Sequence, residues 1–114
     1  MPTFEETQDL LDEMVNSLPP GIFEGLNGGI HLSPDVFVDD DNYFVMGHYH
    51  FEPHGLGRYI TVYYGSLMEF YGRGTRRRFI KELEGVLHHE LTHHLENLAG
   101  DRSLEIQDEL DREK

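Results

Sequence analysis

The chain has no cysteine. A disulfide framework and any thiolate ligand are therefore excluded, and a metal site would have to use nitrogen and oxygen donors. No stretch approaches the ~20 apolar residues of a membrane span. The opening residues MPTFEETQ lack both the basic start and the apolar middle of a secretion signal. These absences point to a cytoplasmic protein that does not engage a membrane. Basic residues are scarce, 9 against 22 acidic ones, for a formal net charge of −13. Such a charge repels a phosphate backbone and sets nucleic acid aside as a partner. No Lys or Arg precedes Arg58, whereas Arg73, Arg76, Arg77, Arg78 and Lys81 crowd one short stretch. This asymmetry reads first as a solvated acidic face with one basic helix end, and second as a preference for cationic ligands or a docking patch.

At 114 residues, 38% hydrophobic and 11% aromatic, the chain holds enough apolar material for one folded domain over residues 1–114. Thr3 and Glu6 form a capping box. Phe4, Leu11, Met14, Val15 and Leu18 follow at helical spacing until Pro19 and Pro20 stop the segment. Short runs around Ile30 to Leu32, Tyr43 to Tyr49 and Arg58 to Tyr64 carry the β-branched and aromatic residues of strands, which predicts a sheet of about three strands. Asp39 to Asn42 and Pro53 to Gly57 read as turns. The three aspartates lack the Gly and terminal Glu spacing of a calcium loop. From Thr75 to Leu98 the chain is free of proline. Ile80, Leu83, Leu87, Leu91, Leu95 and Leu98 are spaced for one buried stripe, with Gly100 as the expected stop. A last polar segment, Ser103 to Lys114, reads as a separate short helix. The fold class expected is α+β.

On the long helix stands His89-Glu90-Leu91-Thr92-His93, a match to H-E-x-x-H. Residues four apart on a helix differ by ~40° in azimuth and ~6 Å in height, so both imidazoles can converge on one tetrahedral zinc ion. Glu90 lies beside the first ligand. A carboxylate there can take the proton of an activated water and pass it to a departing amine. Gly85 sits one turn earlier on the same side. Glycine inside a helix costs about 1 kcal/mol relative to Ala, so this one suggests that a substrate backbone or a packed strand approaches closely. The competing reading is a histidine-rich surface helix that holds no metal. His88 and His94 point away by helical phase and read as partly exposed or hydrogen-bonded.

The run HHELTHHLENLAG, followed by LEIQDEL, resembles the small single-domain zincin-like metallopeptidase family found in bacteria. The LPPG, LNGG and GRYITVYYGS segments extend the similarity over most of the chain. The resemblance implies a minimal zincin fold, a zinc-binding helix with His89 and His93 as ligands, Glu90 as general base, and a peptide or protein substrate. In shorter relatives a Gly and then an Asp follow the second His; here those places hold Glu96 and Ala99. The third ligand is then sought among Glu96, Asp101, Glu105 and Asp108. Glu96 stands ~10 Å above His89 along the helix and suits orientation of His93 better than ligation. Asp101 could equally cap a following turn. Asp108 is the preferred third ligand, because the LEIQD run looks most like the family's aspartate after its active-site helix.

His48, His50 and His54 form a second cluster, read either as packed residues or as a second metal site. One of them, or Tyr63 or Tyr64, could stabilise the oxyanion formed when water attacks a carbonyl. The strand Tyr59 to Tyr64 is either an ordinary core strand or an edge for an extended peptide. The function expected is zinc-dependent hydrolysis of peptide bonds. A metal-binding protein without peptidase activity is the alternative, and a metal-dependent RNase is argued against by the net charge and by Glu90.

Overall fold

A computed structural model describes the backbone of residues 1–112 and the side chains of residues 1–101. The first helix, α1 (Phe4–Ser17), begins where the capping box places it: the Thr3 hydroxyl accepts from the Glu6 N–H, and the Glu6 carboxylate accepts from the Thr3 N–H. It ends before the two prolines, and Pro20–Phe23 form a short 3-10 turn. Five strands follow, β1 (Gly29–Ser33), β2 (Phe37–Val38), β3 (Phe44–Val45), β4 (Gly47–Glu52) and β5 (Gly57–Tyr63), and then α2 (Tyr64–Tyr71) and α3 (Arg76–Arg112). The molecule is mixed α+β, and its principal sheet has the three strands expected.

That sheet has the order β1-β5-β4, with β1 parallel and β4 antiparallel to β5. β5 is thus the central strand. Ile60 and Val62 face inward and are fully buried, so this is the core strand of the two readings rather than a peptide-accepting edge. The β4–β5 connection is the expected turn at Pro53 to Leu56, closed by Gly57 at φ 75°. The run Tyr43 to Tyr49 divides at Met46. Its first half pairs with β2 in a separate two-stranded hairpin, and its second half joins the sheet as β4. At the hairpin turn the Asp39 carboxylate accepts from the N–H groups of Asp41 and Tyr43, and Asn42 takes φ 64°. The aspartate run therefore serves turn geometry.

Two helical features differ from expectation. Tyr64 to Tyr71 form α2 directly after β5. Gly65 permits the junction, since a Cβ there would lie 2.5 Å from the Asp35 backbone. The long helix α3, capped by the Thr75 hydroxyl accepting from the Arg78 N–H, continues through Gly100 to Arg112 without a separate terminal helix. Glycine ends a helix when it adopts a left-handed conformation, and Gly100 is not among the residues with positive φ. Just beyond it Asp101 pairs with Arg58 of β5, whose Nε donates to Asn97 Oδ1 at 2.7 Å and whose guanidinium lies over the Phe51 ring. These contacts tie the helix to the sheet past the point where it was expected to stop. Among the described residues no helix is long and apolar enough to cross a membrane.

The core gathers Leu11, Ile60, Val62, Leu67, Phe79, Leu83, Leu87 and Leu91. On α3 the buried stripe passes from Leu91 to His94, which is fully buried, while Leu95 is 46% exposed. The close approach anticipated at Gly85 occurs elsewhere. A Cβ at Gly85 would meet nothing within 4 Å, whereas one at Gly47 would lie 2.6 Å from Val86 Cγ1 and 3.0 Å from Glu90 Oε2. β4 therefore rests on α3 at its glycine. Two alanine substitutions should act in opposite directions. Gly47→Ala is expected to cost about 1–3 kcal/mol by overpacking, and Gly85→Ala to stabilise by up to about 1 kcal/mol through helix propensity. Urea unfolding midpoints measure both.

Candidate metal site

His89, Glu90 and His93 project from one turn of α3, and one ligand atom from each lies within 4.8 Å of the others. The Nε2 atoms of His89 and His93 are 3.1 Å apart, and their rings meet edge to face at 87°. Two imidazole nitrogens bound to zinc at 2.0–2.1 Å in tetrahedral geometry stand ~3.3 Å apart. The pair fits such an ion with little change. Both histidines are exposed to the cleft, whereas Glu90 is 6% exposed, against β4 at Gly47. Burial pushes the Glu90 carboxyl above the usual carboxylate range, and the nearby imidazoles of His89, His93 and His48 act against that rise.

The three residues open into a cleft of about 730 Å³. Phe37 and Asp39 of the hairpin segment and Val45 of β3 also line it, with Gly47, His48 and Tyr49 of β4 and Glu96 and Asn97 of α3. Among the described residues β4 pairs only with β5, so the strand bordering the cleft is an edge strand. Glu96 Oε2 lies 3.8 Å from His93 Nδ1, on the side of the ring away from the shared Nε2 contact. Asp101 is drawn away to Arg58. The side chains of Glu105 and Asp108 lie outside the described residues.

Of the residues considered for oxyanion stabilisation, His48 lines the cleft. His54 is exposed in the turn, Tyr63 stacks on Phe37, and the Tyr64 hydroxyl donates to the Pro2 carbonyl at 2.8 Å. Tyr49 and Asn97 are cleft residues that sequence reasoning missed. Tyr49 was detectable only as the alternate position between His48 and His50 on one strand. Its hydroxyl is 2.8 Å from His94 Nδ1, and His94 Nε2 is 2.8 Å from the Glu24 carbonyl. A carbonyl can only accept, so Nε2 carries the hydrogen. Nδ1 then accepts from the Tyr49 O–H. His88, by contrast, is exposed.

Fold and site together define a small α+β domain that carries a His-Glu-His donor cluster on its longest helix, beside an edge strand. It is similar to the solved structure of a conserved hypothetical protein from Thermus thermophilus. The two share 31% sequence identity with a TM-score of 0.74, over 87% of this chain and 99% of that one. The chain belongs to the same family as that protein. No protein-family model matches the chain, and no curated protein matches it.

Proposed function

We propose that the chain is a zinc-dependent peptidase with a minimal zincin-like fold, acting on peptides or proteins in the cytoplasm. The observation that carries this reading is the 3.1 Å approach of His89 Nε2 to His93 Nε2 with the Glu90 carboxylate beside them. His89 and His93 hold the metal, and Glu96 orients the His93 ring through its Nδ1 side. A bound zinc ion supplies the Lewis acidity that makes water nucleophilic near neutral pH and polarises the peptide carbonyl. Glu90 accepts the proton released by the attacking water and returns it to the departing amine. The raised proton affinity of its buried carboxyl suits both steps. The outer edge of β4 offers unpaired backbone groups along the cleft, and an extended peptide pairing there would lie across the helix turn that carries the site. Asp108 stands fifteen residues beyond His93 on the same continuous helix, about 22 Å further along its axis, so the third ligand expected from the sequence is out of reach and water completes the coordination.

Zinc stoichiometry and cleavage of a peptide library test the reading together. One equivalent of zinc that depends on His89 and His93, with metal-dependent cleavage, is expected. No binding at those histidines would overturn the metal site. Zinc held there with no peptide cut would leave a metal-binding protein without peptidase activity.

A further inference from the structure

The three-stranded sheet buries Ile60 and Val62 toward the helices, so the alternate residues of each strand form its outer face. The register aligns His31, Thr61 and His48 across the three strands, and pairs His50 with Tyr59. His48 and His50 are alternate residues of the edge strand. Their rings stack with centroids 4.2 Å apart and planes at 22°, and His50 stacks in turn on Tyr59 at 4.2 Å and 14°.

We propose that His48 and His50 form a second binding site for a divalent transition metal, on the outer face of the sheet and separate from the His89 and His93 pair. A His-x-His step on a strand places two imidazoles side by side on one surface, and imidazole donors favour Cu²⁺, Ni²⁺ and Zn²⁺ over hard cations. His50 is prepared for this. His50 Nε2 lies 3.2 Å from Thr61 Oγ1. Donation from Nε2 to that oxygen leaves Nδ1 as a free lone pair, the arrangement by which an outer hydrogen bond fixes the tautomer of a metal ligand. Tyr59 restricts the ring from its other face. Glu52 follows two residues later on the same face, with Oε1 accepting from the Tyr59 hydroxyl at 2.7 Å. It adds negative charge beside the two imidazoles, and water completes the coordination.

This site does not depend on the peptidase reading, and titration with Zn²⁺ separates the two. We compare the native chain, the His89→Ala/His93→Ala chain and a His48→Phe/His50→Phe chain, monitoring folding by circular dichroism. Phenylalanine keeps an aromatic ring against Tyr59 and removes the donors. The native chain should bind two equivalents and each double variant one. Repeating the titration with the single substitution His50→Phe, the more conservative change, should also remove one equivalent. Unchanged stoichiometry in the His48/His50 variants, or no binding left in the His89/His93 variant, overturns the second site. One native equivalent lost only with His48 and His50 would support it and overturn the peptidase metal site instead.

Discussion

Glu90→Gln is expected to retain zinc and to lose peptide turnover by about 10²–10⁴-fold, the usual contribution of a positioned acid or base. Glutamine keeps the shape of the side chain against Gly47 but cannot take up the proton of water. Loss of turnover with unchanged zinc stoichiometry separates the proton-transfer role from metal binding; equal turnover in the two chains would refute the role of Glu90. The same substitution has a second, metal-free consequence whose sign follows from burial. The folded state raises the proton affinity of the Glu90 carboxyl, so the folded chain binds that proton more tightly than the unfolded one. Stability from this group is therefore greatest at low pH and is lost as pH rises through the raised folded value. In the zinc-free protein Glu90→Gln should be more stable than the native chain at neutral pH, and the difference should shrink on acidification. Thermal unfolding in the presence of a chelator, repeated across pH, reads the effect directly.

His94→Ala should be among the most destabilising single substitutions in the molecule, at about 3 kcal/mol or more. The residue is fully buried, and it joins three separate parts of the chain: α3, Tyr49 of β4, and the carbonyl of Glu24. Alanine removes the donor to that carbonyl, strips the Tyr49 hydroxyl of its acceptor and opens a cavity. An orphaned buried polar group alone costs about 1–3 kcal/mol, and the cavity adds to it. Against a total stability of roughly 5–15 kcal/mol this is a large fraction. For a domain of this size the midpoint should fall by roughly 4–8 °C per kcal/mol. Tyr49→Phe should cost less, about 1–2 kcal/mol. The double variant should cost clearly less than the sum of the two, because both changes break one shared contact. Strict additivity would show that the Tyr49–His94 bond contributes little.

Much of this architecture is written locally. The Thr3 and Glu6 cap, the two prolines after α1, the Thr75 start of α3 and the turns at Asp39 and Pro53 each depend on a few adjacent residues, and each lies where those residues place it. His89, Glu90 and His93 are equally local, since one helical turn brings them together whatever surrounds it. What sequence reasoning missed depends on partners distant in the chain. β5 has the composition of either a core or an edge strand, and only its pairing with β1 and β4 decides. Tyr64 to Tyr71 continue the aromatic pattern of the preceding strand, so the helix there is set by docking against the hairpin and Asp35. His94 is hydrogen-bonded, as one of its two readings had it, but its full burial and the exposure of Leu95 follow from Tyr49 and Glu24, which lie far off in the chain. Gly85 and Gly47 show the same limit: the glycine in the helix invited an explanation, while the one that strand packing requires lay in another element. The clamp of Arg58 on Asn97 and Asp101 likewise joins residues 39 and 43 positions apart in the chain.

His89 Nε2 and His93 Nε2 stand 3.1 Å apart on the cleft side of α3. Two ring nitrogens at that distance form a hydrogen bond only when one carries a hydrogen and the other offers its lone pair. A single hydrogen therefore sits between the two atoms that face the cleft. A divalent cation entering that gap needs both Nε2 lone pairs, so the ring that carries the hydrogen must move it to its Nδ1, which in His93 lies 3.8 Å from Glu96 Oε2.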